Sequence, residues 1–375
     1  MHKVKSKPAT RGKKQKIRLA IAGVGNCASA LVQGLDYYRG GHTTEGLLHE
    51  QIGPYKIDDI EIVAAFDIDK RKVGRPLHEA ISALPNCAKT FIKPVRRWPL
   101  KVKMGPVLDG VSKLSQTFPE SERIVVAAEK SVDIAEELRK TRASVLVCFL
   151  PVGSKNAVEA YAEACLEAQV SFVNCIPVFI ASDKKWAARF KKRGLPVVGD
   201  DIKSQVGATA VHRALMRLLS EKGAAPVSTY QLNVGGNTDF LNMLERPRLE
   251  QKKISKTEAV QSQISNTLPS KSIHIGPSDY VPFLKDQKQC FLKIDWVGFG
   301  GIQNGLELRL TVEDSPNSAG VAIDAIRCAQ LAMDKGIGGA LDAVSSFSMK
   351  HPTHQVSDSE AWQNISRWID QAERV

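Results

Sequence analysis

The feature that most constrains this chain is its alternation of apolar strand runs with amphipathic helical segments, opened by a glycine turn. "KIRLAIAGVGNCASALVQGL" reads as a short strand, a tight turn and a helix. "DIEIVAAFDID" is a second strand that ends in acids. "SVDIAEELRK" predicts a helix capped by Ser131, and "SVLVCFLP" a buried strand. A helix over "SKNAVEAYAEACLEAQ", a strand over "VSFVNCIP", a helix over "SDKKWAARFKKRG" and a strand over "LPVVGDD" continue the pattern. Such alternation specifies an α/β fold with a Rossmann-like, doubly wound parallel sheet. The near-continuous apolar strands suit burial on both faces.

After Val227 the pattern changes. "STYQLNVGG", "QCFLKIDWVGF" and "GLELRLTVED" are longer runs with alternation and fewer intervening helices. They predict an inserted α+β domain that packs on the nucleotide-binding domain. "SAGVAIDAIRCAQLAMDKG" then predicts a long helix returning to the first domain. The expected division is a basic tail over 1–16, a nucleotide-binding domain over 17–226, the insert over 227–315 and a C-terminal return over 316–375. The Pro- and Lys-rich residues 85–120 carry no clear period.

With 375 residues, 43% hydrophobic and 25% charged, the chain has the composition of a globular protein with room for two domains. No apolar run approaches the ~18 residues of a membrane span. The first sixteen residues carry seven Lys or Arg and no acid, within a net charge of +12. No apolar segment follows them, so a secretory signal is not expected. Neither aromatic nor Gly-rich patterning accompanies them, so no nucleic-acid partner is expected. The mild positive charge elsewhere suits an anionic ligand such as a phosphate ester. Seven cysteines without a CxxC pair read as free thiols in a reducing, cytoplasmic setting, with no zinc ribbon.

"GVGNCA" places Gly23, Gly25 and Ala28 as G-x-G-x-x-A. The first glycine permits the turn, the second lets a pyrophosphate approach, and the small third residue allows close helix packing. The helix N-terminal amides, at Asn26 and Cys27, would hold phosphate charge. Asp67, 44 residues after Gly23, is the candidate for the adenosine ribose, with Asp69 an alternative. An insertion must therefore separate the first helix from the second strand. A carboxylate there favours NAD over NADP, whose 2′-phosphate it would repel.

A second group follows. "VVGDDIKSQVGATAVHRALMRLL" closes a strand at Asp200 and Asp201 and opens a helix, with Ser204 and Gln205 at an anion-binding turn. Asn233, Asn237 and Asp239 occupy a glycine-rich strand-to-helix turn suited to hydroxyl recognition or to ordinary turn bonding. Lys252 and Lys256 stand one helical turn apart, on one face. Lys288, Asp314 and Lys350 could join them, but spacing alone does not show convergence.

Taken together, "GVGNCASALVQGLDYY", "FLPVGS", "GDDIKSQVGAT", "LNVGGNTDFLNMLERPRLEQKKISKTEAV", "HIGPSDYVPF" and "DSPNSAGVAIDAIR" resemble the compact prokaryotic branch of the myo-inositol-1-phosphate synthase family. The likeness runs in order from about Ile17 to His351. It implies an isomerase that converts glucose 6-phosphate to inositol 1-phosphate with NAD recycled in each turnover. It implies catalytic roles for Lys252, Lys256, Lys288, Lys350, Asp239 and Asp314. It implies substrate contacts from Asp201, Ser204, Gln205, Asn233 and Asn237, and cofactor contacts from Pro151, Gly153 and Ser154 as well as the glycine turn. A homotetramer centred on the insert is implied too, with a divalent or monovalent cation as a possible assistant. This chain reads "KSQVGAT" where the eukaryotic branch has a shorter "KSGQT"-type turn, which leaves Gly207, Ala208 and Thr209 as further phosphate candidates. Lys253 competes with Lys252 for register, and Lys285 and Lys293 with Lys288. Readings as a plain sugar-phosphate dehydrogenase or as a non-catalytic NAD sensor would leave the lysines without a task.

Overall fold

The structure, a computed structural model, describes residues 16–374 apart from 42, 94, 95 and 265. All of the basic tail except Lys16 lies outside the described residues.

Seven parallel strands form the first sheet, in the order Gly339–Ala340, Pro196–Val198, Ser171–Asn174, Val145–Cys148, Ile17–Ala22, Ile60–Asp67, Lys103–Met104. In chain order this is the 3-2-1-4-5-6 winding of a dinucleotide fold with a seventh strand added at one edge. Val145–Cys148 and Ser171–Asn174 are buried at every position, as strands covered on both faces must be. On one face Leu31, Leu35, Ile326 and Ala329 join the helices Asn26–Tyr37 and Asp314–Asp334 to the sheet. On the other, Leu138, Val158, Tyr161 and Phe190 do the same for the helices Ile134–Lys140, Lys155–Ala168 and Lys184–Lys192. The helix Ile134–Lys140 is capped by Asp133, whose carboxylate accepts from the Glu136 N–H, and not by Ser131. Asp133 wins because it sits three residues before that amide, where a side-chain oxygen reaches it.

Winding reverses between Ile17–Ala22 and Val145–Cys148, so a crevice opens at the carboxyl ends of these two strands. The insertion between the first helix and Ile60–Asp67 includes a small hairpin, Gln51–Ile52 with Tyr55–Lys56. It is held against the long helix by buried Arg327, which donates to the His49 and Glu50 carbonyls.

The second sheet has four strands in the order Ile273–Tyr280, Ala225–Gly235, Gln287–Val297, Gln303–Glu313; only the first pair is parallel. Its inner positions, Cys290, Leu292 and Ile294, pack with Met216 and Val260 from the helices Ala208–Glu221 and Glu250–Gln261. Tyr230 and Phe291 stand exposed on the opposite face, and Phe299 and Ile302 are exposed at its hairpin end. The 21-residue helix Asp314–Asp334 begins where the last of these strands ends and runs back through the first layer. Among the described residues no helix is long and apolar enough to cross a membrane.

Candidate active site

Gly23 has φ +89°, and a Cβ there would meet the Phe149 carbonyl oxygen at 2.7 Å, so only glycine fits between the first and fourth strands. A Cβ on Gly25 would meet nothing within 4 Å, which leaves its surface open to the crevice. No side chain caps the helix that follows, so its first amides remain available to an anion. Ala28 is fully buried beneath the turn. The Asn26 carboxamide oxygen accepts from the Cys87 and Ala88 amides at 2.7 and 2.9 Å, tying the Pro-rich segment to the loop. Burial and the charge of Asp286 push the Cys27 thiol up to about 12, so it is unreactive.

The Asp67 carboxylate lines the crevice and accepts from the Val24 amide at 2.7 Å, with Lys72 Nζ 3.8 Å away. Asp69 is fully buried and committed to Arg71 and the Val125 amide, which removes it as a ribose ligand. Pro151 lines the crevice. Gly153 and Ser154 are not among its lining residues. Gly153 abuts the Arg248 side chain, and the buried Ser154 hydroxyl donates to the Pro151 carbonyl at 2.6 Å. They shape the turn that presents Pro151.

The crevice continues into the space between the two sheets, where Lys252, Lys256, Lys288, Lys350, Asp201, Asp239, Asp314, Ser204, Asn233 and Asn237 all line it. Three of the lysines are paired. Lys252 Nζ is 2.9 Å from Asp239, Lys350 Nζ is 2.9 Å from Asp201, and Lys288 bonds Asp314. Burial works against charge on each group, and the partner outweighs it: Asp201 and Asp314 are held below the usual carboxylate range, and Lys252 above the usual lysine value. Lys256 is different. Among the described residues no carboxylate lies within ion-pair distance of it. Burial, then the ammoniums of Lys252, Lys350 and Lys288, bring it down to about 7.

Neighbouring Asp200 and Asp201 point in opposite directions. Asp200 accepts from Asn174, from the amides of Ile180, Ala181 and Ser182, and from the Ser182 hydroxyl. It anchors the loop beneath the site, while Asp201 takes Lys350 and the Ser255 hydroxyl at 2.6 Å. Gln205 departs from the sequence reading. Its carboxamide donates to the Gly46 carbonyl at 2.6 Å and packs on Gly320, outside the crevice. The Gln205 backbone N–H donates to the Asn317 carbonyl at 3.0 Å, which ties this residue to the start of the long helix and turns its side chain away from the crevice. Gly207, Ala208 and Thr209 line the crevice instead, at the uncapped N-terminus of a 14-residue helix. Lys253, Lys285 and Lys293 do not line it.

Asn237 caps the helix Thr238–Met243 and donates to Asp286 at 3.0 Å. Asp286, Gln231 and Asn242 were not singled out in the sequence. Asp286 is buried and also accepts from the Ser315 hydroxyl at 2.8 Å. Burial and the charge of Asp314 raise it to about 6. Its only sequence signal was its place two residues before Lys288. Gln231 and Asn242 line the crevice and are both buried. Among the described residues no group of His, Cys, Asp and Glu forms a metal-binding cluster.

The winding, the glycine turn and the lysine–aspartate cluster define a Rossmann-like α/β protein whose inserted sheet completes a polar cleft at the nucleotide crevice. The sequence model of the family described as myo-inositol-1-phosphate synthase matches residues 207–315. Inositol-3-phosphate synthase of Mycolicibacterium smegmatis is 48% identical over 361 residues, covering 94% of this chain and 98% of that protein. Inositol-3-phosphate synthase of Corynebacterium glutamicum is 47% identical over 365 residues, covering 95% and 99%. The crystal structure of a myo-inositol-1-phosphate synthase-related protein from Thermotoga maritima superposes with a TM-score of 0.80 at 25% identity, covering 95% of this chain and 99% of that one. The chain belongs to the myo-inositol-1-phosphate synthase family.

Proposed function

We propose that this protein is an inositol-3-phosphate synthase, an isomerase that converts D-glucose 6-phosphate to 1L-myo-inositol 1-phosphate. The observation that carries the reading is the set of four lysines, two buried and two partly buried, three of them paired, that line the dinucleotide crevice.

The crevice fits a dinucleotide: Gly25 leaves room for a pyrophosphate, the helix amides behind it are uncapped, and Asp67 faces the ribose position. NAD held there supplies a transient oxidation and re-reduction at C5. Gly23, Gly25, Asn26, Cys27, Ala28, Asp67 and Pro151 would form its seat, with Gly153 and Ser154 supporting the turn.

Oxidation at C5 acidifies the C6 protons. Loss of one gives an enolate whose charge rests on the C5 oxygen. C6 then attacks the C1 aldehyde, and the C1 oxygen takes up the charge and finally a proton. Fixed ammoniums in a water-poor cleft stabilise both oxyanions without reorganising. Lys252, Lys288 and Lys350, each bonded to an aspartate, are placed for this role. Lys256, at about 7, can be neutral at physiological pH and is suited to accept and return a proton. Ser204 and the amides at Gly207 to Thr209 suit the phosphate, and Asn233, Asn237 and Asp201 the hydroxyls.

We infer a homotetramer, with the exposed sheet face bearing Tyr230 and Phe291 as a contact. Incubation with glucose 6-phosphate and catalytic NAD tests the function. Phosphorus NMR is expected to show inositol phosphate with no accumulated NADH. Stoichiometric NADH without a cyclised product would refute it.

A further inference from the structure

A buried polar chain runs behind the cleft wall. Asn233 Nδ2 donates to the Gly276 carbonyl at 2.8 Å. That backbone acceptor fixes the carboxamide, so Asn233 Oδ1 faces Gln231, whose Nε2 donates to it at 3.2 Å. Gln231 Oε1 is thereby turned toward His212 Nδ1, also at 3.2 Å. An acceptor at that point requires the ring proton on Nδ1. His212 is fully buried, and burial brings its pKa down to about 4, so the ring is neutral and Nε2 carries the lone pair. The Thr229 hydroxyl lies 2.9 Å from Nε2 and 2.7 Å from the Lys293 carbonyl, with one proton to share between them. Every amide in the chain is thus oriented from a single backbone carbonyl at one end and one imidazole tautomer at the other.

Gln231 and Asn233 line the cleft, whereas His212 does not. Both amide oxygens are engaged within the chain. Each nitrogen retains a second hydrogen beyond the one the chain uses. The cleft wall is therefore a donor surface, suited to hydroxyl and oxyanion oxygens of a sugar. We infer that His212 is a positioning residue for the proposed reaction, locking Gln231 and Asn233 so that both present N–H groups to the substrate. The inference rests on the functional reading above for its substrate, but not for its geometry. Without the imidazole proton, Gln231 can rotate and leave Asn233 Oδ1 unpartnered. A buried unsatisfied group is unfavourable enough to drive rearrangement.

His212→Leu removes the ring donor, and His212→Asn retains an N–H near the Nδ1 position. For His212→Leu we expect kcat to fall on the order of 10–100-fold, the scale of a small misplacement in an active site. The NAD-induced shift in Tm should stay as in the wild type. His212→Asn should recover most of the turnover. Full activity in a folded His212→Leu protein would overturn the inference. So would equal losses of activity and Tm in both variants, which would mark a merely structural residue. In ¹⁵N-histidine-labelled wild type, the imidazole shifts report the tautomer directly. The Nδ1–H form is expected, and the Nε2–H form would overturn the assignment. If the wild type forms no inositol phosphate, the functional reading fails, and the tautomer measurement still decides the geometry.

Discussion

Lys256→Met separates electrostatic strain from catalysis at the centre of the cluster. The wild-type ammonium is buried, has no carboxylate within ion-pair distance among the described residues and faces three other lysines. A fall from 10.5 to about 7 corresponds to roughly 5 kcal/mol for holding the group charged in the fold. The unfolded chain binds the proton more tightly between these two values. Stability therefore rises with pH through that window, and the full penalty applies below about 7. Met fills a similar volume without charge. The ligand-free variant should be more stable than the wild type by up to about 5 kcal/mol at pH 6 and about 2 kcal/mol at pH 9. Urea unfolding at both pH values, at fixed protein concentration, measures the difference. Turnover should fall sharply in the same protein, a stability–activity trade-off. A variant less stable than the wild type at both pH values, or a gain independent of pH, would refute the reasoning.

Above pH 7 the cluster of four lysines and three aspartates is close to neutral with Lys256 unprotonated. A phosphate dianion should then draw a proton onto Lys256, so calorimetric binding enthalpies at pH 8 should vary with buffer ionisation heat; no variation would count against it. Gln205→Ala should leave KM for the sugar phosphate near the wild-type value and cost about 1 kcal/mol of stability through the lost bond to Gly46. A tenfold rise in KM would return Gln205 to the phosphate site. Phe291→Asp, on the exposed sheet face, should shift light-scattering mass toward smaller species, and an unchanged mass would remove that face as a subunit contact.

Strand–helix alternation and the glycine turn carried the fold, because parallel strands buried on both faces must be apolar almost throughout and their crossovers must be helical. The long return helix was legible for a similar reason: few polar residues interrupt "SAGVAIDAIRCAQLAMDKG". Side-chain direction was not legible. Asp200 and Asp201 are chemically identical neighbours, yet the backbone at Asp201, with φ +62°, turns one into the fold and the other to Lys350. Gln205 reads as an anion ligand from its place in the turn, yet its carboxamide bonds the Gly46 carbonyl. Gln231 and His212 left no mark, since their meaning lies in contacts across strands and a helix. Lys252, Lys288 and Lys350 are brought to one cleft by a helix, a strand and a C-terminal loop, and only the family resemblance linked them beforehand.

The helix Asp314–Asp334 starts at Lys288's partner and packs along the helix that follows the glycine turn. One continuous rod thus serves both the sugar end and the nucleotide end of the cleft. A dehydrogenase must shed its reduced cofactor after every cycle, and often parts two domains to do so. An enzyme that returns its oxidant to the starting state has no such need. The shared rod suits a protein in which the dinucleotide is a resident and the hexose phosphate a visitor.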